Sequence, residues 1–326
     1  MEKRLDVTYT NGVIAAREKY LLKDRIQRMC ELSADEAFRM LLESGFGGGA
    51  ETVTDVYDYE KLIAVENEKL DAFIREYAPS KAEAAYLLSP RDFHNAKALI
   101  KAAYLNESAQ RMLASEGLIS IDTLSSCVKN GDFSALGKYP ALQTACEQAT
   151  SLLSEDPSGA KVGEIFQRAL YTHLREVVKR KPVLKKLLTA KADMTNILTA
   201  FRVDEQTSVA EKYVPSGSLK ASDLSVILNG DGDEIKGAFK KTAYADFITA
   251  CLLAKEKGVP MTQAEKILGA FDATYFSARK YALEKTEPFL YYVYRRQTES
   301  ANVRIIFVCL LAGLDEQDIK RRIRAF

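Results

Sequence analysis

The sequence of 326 residues contains no tryptophan and only 2 histidines. Neither His94 nor His173 has a second metal ligand at helical spacing, so the sequence predicts no zinc site. The glycine cluster Phe46-Gly-Gly-Gly49 runs into Ala50-Glu51-Thr52, whereas a phosphate-binding P-loop ends in Gly-Lys-Ser/Thr. We therefore expect no nucleotide cradle here and interpret the cluster as a mobile loop between helices.

Other catalytic patterns are missing too. The sequence contains no Gly-x-Ser-x-Gly and no suggestive Cys/His pair. The acidic loop Asp231-Gly-Asp233-Glu234 lacks the spaced ligands and terminal glutamate of an EF-hand. We therefore predict no catalytic residues, no cofactor, no metal and no small-molecule substrate.

Charge and hydropathy exclude further classes. The formal net charge is +1, from 46 basic and 45 acidic residues, which argues against a nucleic-acid partner. The 5 cysteines lack metal or redox spacing and are typical of buried, reduced thiols in a cytosolic protein. The N-terminus has no apolar signal region, so secretion is not expected. The longest apolar stretch, Ile305–Leu314, is far below the roughly 20 residues that span a bilayer.

Helical periodicity dominates what the sequence does contain. Apolar residues recur at three- and four-residue steps in three segments: Leu62, Val65, Leu70, Phe73, Ile74 and Tyr77; Ile165, Phe166, Ala169, Leu170, Leu174 and Val177; Ile267, Leu268, Phe271, Tyr275, Ala278 and Leu283. This period is typical of amphipathic helices. The 8 prolines fall mostly at joints, and no convincing strand pattern is present. The sequence predicts an all-α protein.

An acidic residue, two variable residues and an asparagine form a motif that occurs three times. The copies are Asp92-Phe-His-Asn95, Asp193-Met-Thr-Asn196 and Glu299-Ser-Ala-Asn302. The asparagines lie 101 and then 106 residues apart, whereas solenoid units usually span about 20–50 residues. The spacing predicts a small helical bundle repeated three times about a pseudo-threefold axis.

Each motif is followed about twenty residues later by a turn with glycine and a short helix. Ser120, Ser222 and Asp315 are the predicted N-caps, because a short side-chain oxygen there accepts from free backbone N–H groups. Asn130-Gly131 and Asn229-Gly230 are predicted to close two of these helices with a left-handed residue.

The N-terminal segment contains an incomplete fourth copy. Asn11 precedes Arg17 by six residues, and Leu32-Ser33-Ala-Asp35-Glu-Ala repeats the short capped helix, although Thr8 replaces the acidic residue. We predict an N-terminal half unit, residues 1–55, that closes a ring with the last repeat. The three repeats are predicted at residues 56–140, 141–240 and 241–326.

Three equivalent motifs do not suggest one asymmetric active site, which needs two tuned groups held close together. We interpret Asp92, Asn95, Asp193, Asn196, Glu299 and Asn302 as structural residues that cap helix starts and hydrogen-bond between helices. The alternative is a surface that all three repeats share for binding a partner.

The same stretches resemble a known family over essentially the whole chain. They are Asp92-Phe-His-Asn95-Ala-Lys-Ala-Leu-Ile-Lys101, Asp193-Met-Thr-Asn196-Ile-Leu-Thr-Ala-Phe-Arg202, Glu299-Ser-Ala-Asn302-Val-Arg304-Ile-Ile and the closing Gly313-Leu-Asp-Glu-Gln-Asp-Ile-Lys-Arg-Arg. In this order and spacing they resemble the C-type component of V-type (A/V-type) ATP synthases and ATPases, known as the d-type component in eukaryotic enzymes.

The resemblance implies a funnel of three similar helical domains that catalyses nothing itself. It implies a peripheral position on the cytoplasmic face of the membrane proteolipid ring, with the end of the central shaft received in a cavity. The implied partners are the D- and F-type shaft subunits and the ring. The implied role couples shaft rotation to H+ or Na+ transport, linked to ATP hydrolysis or synthesis.

Four basic residues are the predicted partner-binding set: Arg17, Lys101, Arg202 and Arg304. Lys101 and Arg202 follow their motif asparagines by six positions; the third copy has Val308 there, with Arg304 nearby. Pairing with acidic residues between helices is the alternative role for this set. Two alternatives to the whole interpretation are a helical scaffold unrelated to rotary ATPases and a helical enzyme with an unrecognised site.

Overall fold

A computed structural model describes residues 6–18, 22, 24–51, 53–156, 158–203, 212–282 and 285–325. The α-helices bounded within these ranges are, in chain order, α1 Val7–Arg17, α2 Arg25–Met29, α3 Ala34–Glu43, α4 Tyr59–Tyr77, α5 Lys81–Leu105, α6 Ile121–Asn130, α7 Pro140–Glu155, α8 Gly159–Val177, α9 Pro182–Arg202, α10 Ala221–Asn229, α11 Gly232–Phe239, α12 Ala245–Glu256, α13 Thr262–Ser277, α14 Glu287–Leu311 and α15 Glu316–Arg322. Three short 3₁₀ segments span Phe46–Glu51, Val56–Asp58 and Ser134–Leu136.

All regular secondary structure in the described ranges is helical, which confirms the all-α prediction. The glycine cluster lies between α3 and α4, where Gly47, Gly48 and Gly49 interrupt the 3₁₀ segment with φ of 62°, 88° and 63°. None of the helices in these ranges combines the length and the apolar character needed to cross a bilayer.

Contacts divide the chain into two units. Unit 1 contains residues 1–80 and 258–326, and unit 2 contains residues 81–257. The segments predicted to complement each other, at the N-terminus and in the last repeat, thus contribute to one unit. The boundaries predicted from the sequence, the ring closure, the funnel and its pseudo-threefold axis stay predictions.

Unit 1 is organised around the long helix α14. It contacts α1, α2, α3, α4, α13 and α15. Its Phe307 is fully buried, stacks on Tyr59 at 5.1 Å between ring centroids and meets Phe38 edge-on at 6.0 Å. Burying a side chain of this size contributes roughly 1.5–3 kcal/mol relative to exposure, so α14 anchors both chain segments of unit 1.

Unit 2 contains the consecutive helices α7 and α8 packed on each other, with α5 packed on both. One hydrophobic core of this unit includes the buried residues Phe93, Leu124, Leu142, Val162 and Phe166. Helix α9 contacts α8, α10 and α12 within the same unit.

All five cysteines of the chain are free and buried, as predicted. Burial raises the pKa of the Cys30 thiol to about 11 and those of Cys146 and Cys251 to about 12. Thiols with such raised pKa values hold their proton near neutral pH and are poor nucleophiles. They act as small apolar residues of the core.

Several helix ends follow the predicted chemistry. The Ser120 hydroxyl accepts from the Thr123 N–H at 3.2 Å, and the Asp315 carboxylate accepts from the Asp318 N–H at 2.8 Å. Ser33 begins α3 with a reciprocal capping box. Gly131 closes α6 in the left-handed conformation with φ 65°. These N-cap and C-cap predictions are confirmed.

Two predictions for the short helix α10 are wrong. The helix begins at Ala221, so Ser222 lies in its first turn, and the Lys220 N–H is bound by the Asp223 carboxylate at 2.8 Å. Gly230 is extended, with φ −80° and ψ 156°. Gly230 is extended because the next helix begins at once: Asp231 is the N-cap of α11, and the chain enters that cap in an extended conformation.

Candidate functional site

The three repeated motifs lie in the interiors of the long helices α5, α9 and α14. The expectation that they cap the starts of helices is therefore wrong. In each copy the acidic residue and the asparagine are three positions apart, so both project from one face of the helix. All six side chains are at most 6% exposed. Buried polar groups of this kind require hydrogen-bond partners.

The first motif holds the loop that follows its own helix. The two carboxylate oxygens of Asp92 accept from the N–H groups of Leu118 at 2.9 Å and Ile119 at 3.0 Å. Asn95 forms a two-way pair with Ala114, accepting from its N–H at 2.8 Å and donating to its carbonyl at 3.3 Å. We call such an acid and asparagine pair a loop clamp.

The second motif repeats this geometry. Asp193 Oδ1 accepts from the N–H groups of Ser218 at 2.7 Å and Leu219 at 3.0 Å. Asn196 accepts from the Val214 N–H at 2.8 Å and donates to the Val214 carbonyl at 3.0 Å. In both clamps the carboxylate binds residues four and five positions beyond the residue that the asparagine holds. The motif side chains thus hydrogen-bond from a helix to a loop, rather than between helices as predicted, and the two loops share one register.

A glycine precedes the two bound N–H groups in both loops. A Cβ atom at Gly117 would overlap the carboxylate of Asp92, and one at Gly217 would lie 2.5 Å from Asp193 Oδ1. Only a residue without a side chain leaves the carboxylate room to reach the backbone. The glycines of the two turns noted in the sequence are thus part of the clamps.

The third clamp divides its partners between the two ends of the described chain. Asn302 accepts from the Arg324 N–H at 2.8 Å and donates to the Arg324 carbonyl at 3.0 Å. Glu299 Oε1 accepts from the N–H of Leu22 at 3.0 Å. The longer glutamate of this copy thereby binds the N-terminal segment, whereas the aspartates bind the loop after their own helix.

Glu299 also belongs to a buried ion-pair network in unit 1. Its Oε2 accepts from Arg296 Nη1 at 2.8 Å, and Arg295 Nε lies 3.6 Å from Oε1. Arg296 further pairs with Glu66, which accepts from the Gly47 N–H at 2.9 Å. Burial raises the pKa of Glu299, and the two arginines oppose this rise. Removing one partner of such a network leaves a buried charge uncompensated, which costs about 3–5 kcal/mol.

The second clamp has an additional donor. The Tyr244 hydroxyl donates to Asp193 Oδ2 at 2.7 Å, and the Ser218 hydroxyl donates to the same oxygen at 2.6 Å. Burial raises the pKa of Tyr244, and the bond to the Asp193 carboxylate raises it further. The phenol therefore keeps its proton and remains a donor near neutral pH.

Two of the predicted partner-binding residues lie in unit 1. The Arg17 guanidinium lies over the rings of Phe73 at 4.8 Å and Tyr77 at 5.6 Å. Arg304 forms two bonds to the Glu60 carboxylate, both 2.7 Å long, and these raise the pKa of Arg304. The alternative role, pairing with acidic residues between helices, is seen at Arg304.

The other two lie in unit 2. Lys101 Nζ donates to the carbonyl of Gly159 at 2.6 Å, at the first residue of α8. Arg202 is exposed at the end of α9, and its charge opposes the raised pKa of Cys251. The surroundings of the four basic residues thus differ in kind, and their role in binding a partner stays a prediction.

Two polar features of the molecule were not predicted from the sequence. Arg296 and Glu66 connect α14 to α4, and Tyr244 joins the second clamp from more than forty residues away. The sequence pattern could have indicated Glu66, because this acidic residue lies on the apolar face of α4, beside the buried Ile63 and Leu70. An acidic residue on such a face predicts a buried ion pair, although not its partner.

The two histidines have structural contacts. His94 Nε2 lies 2.8 Å from the carbonyl of Met112, in the loop held by the first clamp. His173 Nε2 lies 3.0 Å from the Ser89 hydroxyl, and burial lowers the pKa of His173. A neutral imidazole can serve either contact by its choice of tautomer.

Comparison with known proteins identifies the family to which this chain is similar. The family model of the ATP synthase (C/AC39) subunit matches residues 10–322, which include all three clamps. The chain belongs to this family. The resemblance drawn from the repeated motifs is therefore confirmed, and this C/AC39 protein is a component of a V/A-type rotary ATPase.

A relative supports the match at the level of the whole chain. The C-type component of the V-type sodium ATPase of Enterococcus hirae is 21% identical over 334 aligned positions, covering 96% of this chain and 97% of that protein. The similarity thus includes both units of this C/AC39 protein. As a component of a membrane ATPase complex, it assembles with other ATPase subunits.

Proposed function

We propose that this chain is the non-catalytic central-stalk subunit of a V/A-type rotary ATPase. It acts as a socket that couples the rotating shaft, of D- and F-type subunits, to the membrane proteolipid ring. It sits on the cytoplasmic side, and rotation passes through it during H+ or Na+ transport linked to ATP hydrolysis or synthesis. The observation that carries this proposal is the family match from residue 10 to residue 322.

The clamps supply a physical reason for a coupling role. A subunit that transmits torque must resist deformation where loops meet partners. In unit 2 each clamped loop is tied to the middle of a long helix by at least four hydrogen bonds to its backbone, all shorter than 3.5 Å. Ordering by buried, charge-assisted bonds makes a loop stiffer than its irregular backbone alone would be.

A helical scaffold unrelated to rotary ATPases was the main alternative. Family membership over nearly the whole chain removes the reason to keep it. The full-length alignment with a component of a V-type sodium ATPase favours the same conclusion. The ion that the ring carries is a property of the ring, so both H+ and Na+ belong in the test.

The proposal is tested with the whole complex. Membranes that carry the tagged chain are solubilised in a gentle detergent, and captured proteins are identified by mass spectrometry. Recovery of the proteolipid together with shaft and catalytic-head subunits is expected. A complex reassembled without the chain should still hydrolyse ATP in its head but should not drive ion transport, and adding the chain should restore transport. Capture of soluble proteins alone, or transport that does not need the chain, would contradict the proposal.

Two of the basic residues belong at the shaft under the same proposal. We expect Lys101→Ala with Arg202→Ala to weaken binding of the purified shaft subunits while leaving the helical circular dichroism unchanged. Lys129→Ala with Lys255→Ala is the matched control, because both lysines are exposed in the last turns of helices in unit 2. Equal affinity of the two double variants would remove Lys101 and Arg202 from the proposed interface.

A further inference from the structure

The chain contains three Asn-Gly pairs whose chemistry neither the clamps nor the proposed coupling role uses. They are Asn11-Gly12, Asn130-Gly131 and Asn229-Gly230. In such a pair the backbone nitrogen of the glycine can attack the side-chain amide carbon of the asparagine, because no Cβ atom shields the approach. The cyclic imide that forms releases ammonia and is then opened by water. Each pair is thus a position at which the chain can modify itself without an enzyme.

The folded structure decides which of these pairs can react. The glycine nitrogen comes within bonding distance of the amide carbon, Cγ, only when the asparagine rotates about ψ out of the helical range. Hydrogen bonds resist this rotation, so the reaction depends on local opening of the backbone. Three properties therefore rank the pairs: the exposure of the asparagine, the bonds of its side-chain amide, and the bond of the glycine N–H.

Two of the pairs are restrained. Asn11 is 3% exposed within α1, and its Nδ2 donates to a backbone carbonyl at 3.2 Å. Asn229 is exposed, but its Nδ2 donates to the carbonyl and to the hydroxyl of Ser225, both at 3.1 Å. The Gly230 N–H donates to the carbonyl of Val226 at 2.8 Å. Attack at either asparagine must first break such bonds.

The pair Asn130-Gly131 lacks these restraints. Both residues are exposed at the end of α6, and within the described ranges no hydrogen bond involves the Asn130 side chain. The Gly131 N–H reaches the carbonyl of Val128 at 3.3 Å, in the tighter register that often ends a helix. Apart from its chain neighbours, no described atom lies within 4 Å of the position that a Gly131 Cβ would take. The turn has room to rotate, and one long bond opposes the rotation.

We propose that Asn130 is the site at which this chain deamidates first. The Gly131 nitrogen loses its proton to hydroxide and forms a bond to Cγ of Asn130. The Cγ–Nδ2 bond breaks, and the leaving nitrogen takes a proton from water and departs as ammonia. Water then opens the ring at one of its two carbonyls, which gives aspartate or isoaspartate. The inference does not rest on the coupling role, because every group involved belongs to α6 and its C-cap.

The reaction places a new negative charge where a helix tolerates it least. The C-terminal end of a helix carries a partial negative charge, so a carboxylate there weakens the last turn. We expect the amide hydrogens in the last turn of α6 to exchange about twofold to fivefold faster in the modified chain. The N–H groups of Leu118 and Ile119, which the first clamp binds before α6 begins, should keep their protection.

Ageing of the purified full-length chain at mildly alkaline pH tests the proposal. After digestion, the peptides of all three Asn-Gly pairs are quantified in one mass-spectrometric run, so each site is a control for the others. We expect Asn130 to react at least about tenfold faster than Asn11 and Asn229, the factor that a difference of about 1.4 kcal/mol in opening free energy gives. In concentrated urea the three sites should react at similar rates, because unfolding removes the restraints.

Asn130→Gln is the control for the change in exchange. It keeps an amide at this position, but the larger ring that glutamine would have to form closes slowly, so the aged variant should show unchanged exchange in α6. The modified wild-type chain is separated by its extra negative charge and compared with this variant by hydrogen exchange of residues 121–131.

Three outcomes would overturn the proposal. One is an equal rate at the three sites of the folded chain, or a faster rate at Asn11 or Asn229. Another is no reaction at Asn130 in the folded chain under conditions in which the chain in urea reacts. The third is unchanged exchange of the last turn of α6 in the modified chain, which would refute the predicted loosening.

Discussion

Removing the carboxylate of the second clamp tests most directly whether the clamps hold the loops of unit 2. The variant is Asp193→Ala. It deletes the acceptor of four donors: the N–H groups of Ser218 and Leu219 at 2.7 and 3.0 Å, the Ser218 hydroxyl at 2.6 Å and the Tyr244 hydroxyl at 2.7 Å. Asp193 itself is fully buried, so its carboxylate depends on these donors rather than on bulk solvent.

The magnitude follows from the type of bond. A hydrogen bond to a charged group contributes about 1.5–3 kcal/mol, and a buried donor left without a partner costs about 1–3 kcal/mol. The donors around Asp193 are only partly buried, so water replaces some of the lost bonds. We therefore expect Asp193→Ala to lower the free energy of unfolding by about 3–5 kcal/mol, near the upper end for single substitutions.

Two measurements check this. Urea unfolding followed by circular dichroism gives the loss of stability. Hydrogen exchange of a peptide spanning residues 212–220, read by mass spectrometry, reports the two amides directly. A local loss of about 2 kcal/mol corresponds to exchange faster by roughly thirtyfold.

Asp246→Ala is the control, because Asp246 is an exposed aspartate in the first turn of α12. Its effect should stay within about 0.5 kcal/mol. If Asp193→Ala shifts stability no more than this control and leaves exchange of residues 212–220 unchanged, the clamp does not hold the loop.

Two further predictions concern unit 2. Gly117→Ala should cost about 2–4 kcal/mol in urea unfolding, because its methyl group overlaps the Asp92 carboxylate, whereas Gly163→Ala, with nothing within 4 Å, should be neutral or slightly stabilising. Burial lowers the pKa of His173 below its ordinary value of 6.5, so the unfolded chain binds more protons as pH falls below that value. The stability from neutral His173 is thus present above about pH 6.5 and is lost toward the folded pKa, with a slope of at most about 1.4 kcal/mol per pH unit. His173→Gln should flatten this pH dependence and His94→Gln should not; the opposite result would show that the buried ring is not responsible.

Local chemistry made much of the fold predictable. Apolar periodicity identified the helices, and the caps at Ser120, Ser33 and Asp315 depend on neighbours three residues away. The prediction that Ser222 is an N-cap was wrong because Asp223, a competing acceptor one residue later, binds the N–H of Lys220. Several acceptors in one turn cannot be ranked from sequence spacing alone.

The role of the clamp residues could not be predicted from their local sequence. The repeat identified the residues that form them, yet aspartate and asparagine are also typical of helix starts. Which one applies depends on whether the side chains are buried, and that depends on segments distant in sequence. Leu22 binds Glu299 across 277 positions, and no pattern near either residue indicates this contact.

The division of unit 1 between the two ends of the chain determines the order in which the protein can form during synthesis. Residues 81–257 of unit 2 leave the ribosome complete, whereas residues 6–80 must wait for α14 before Leu22 and Leu62 can be covered. At about 5–20 residues per second this wait lasts on the order of tens of seconds. During that time the N-terminal helices expose the apolar surface that α14 later buries.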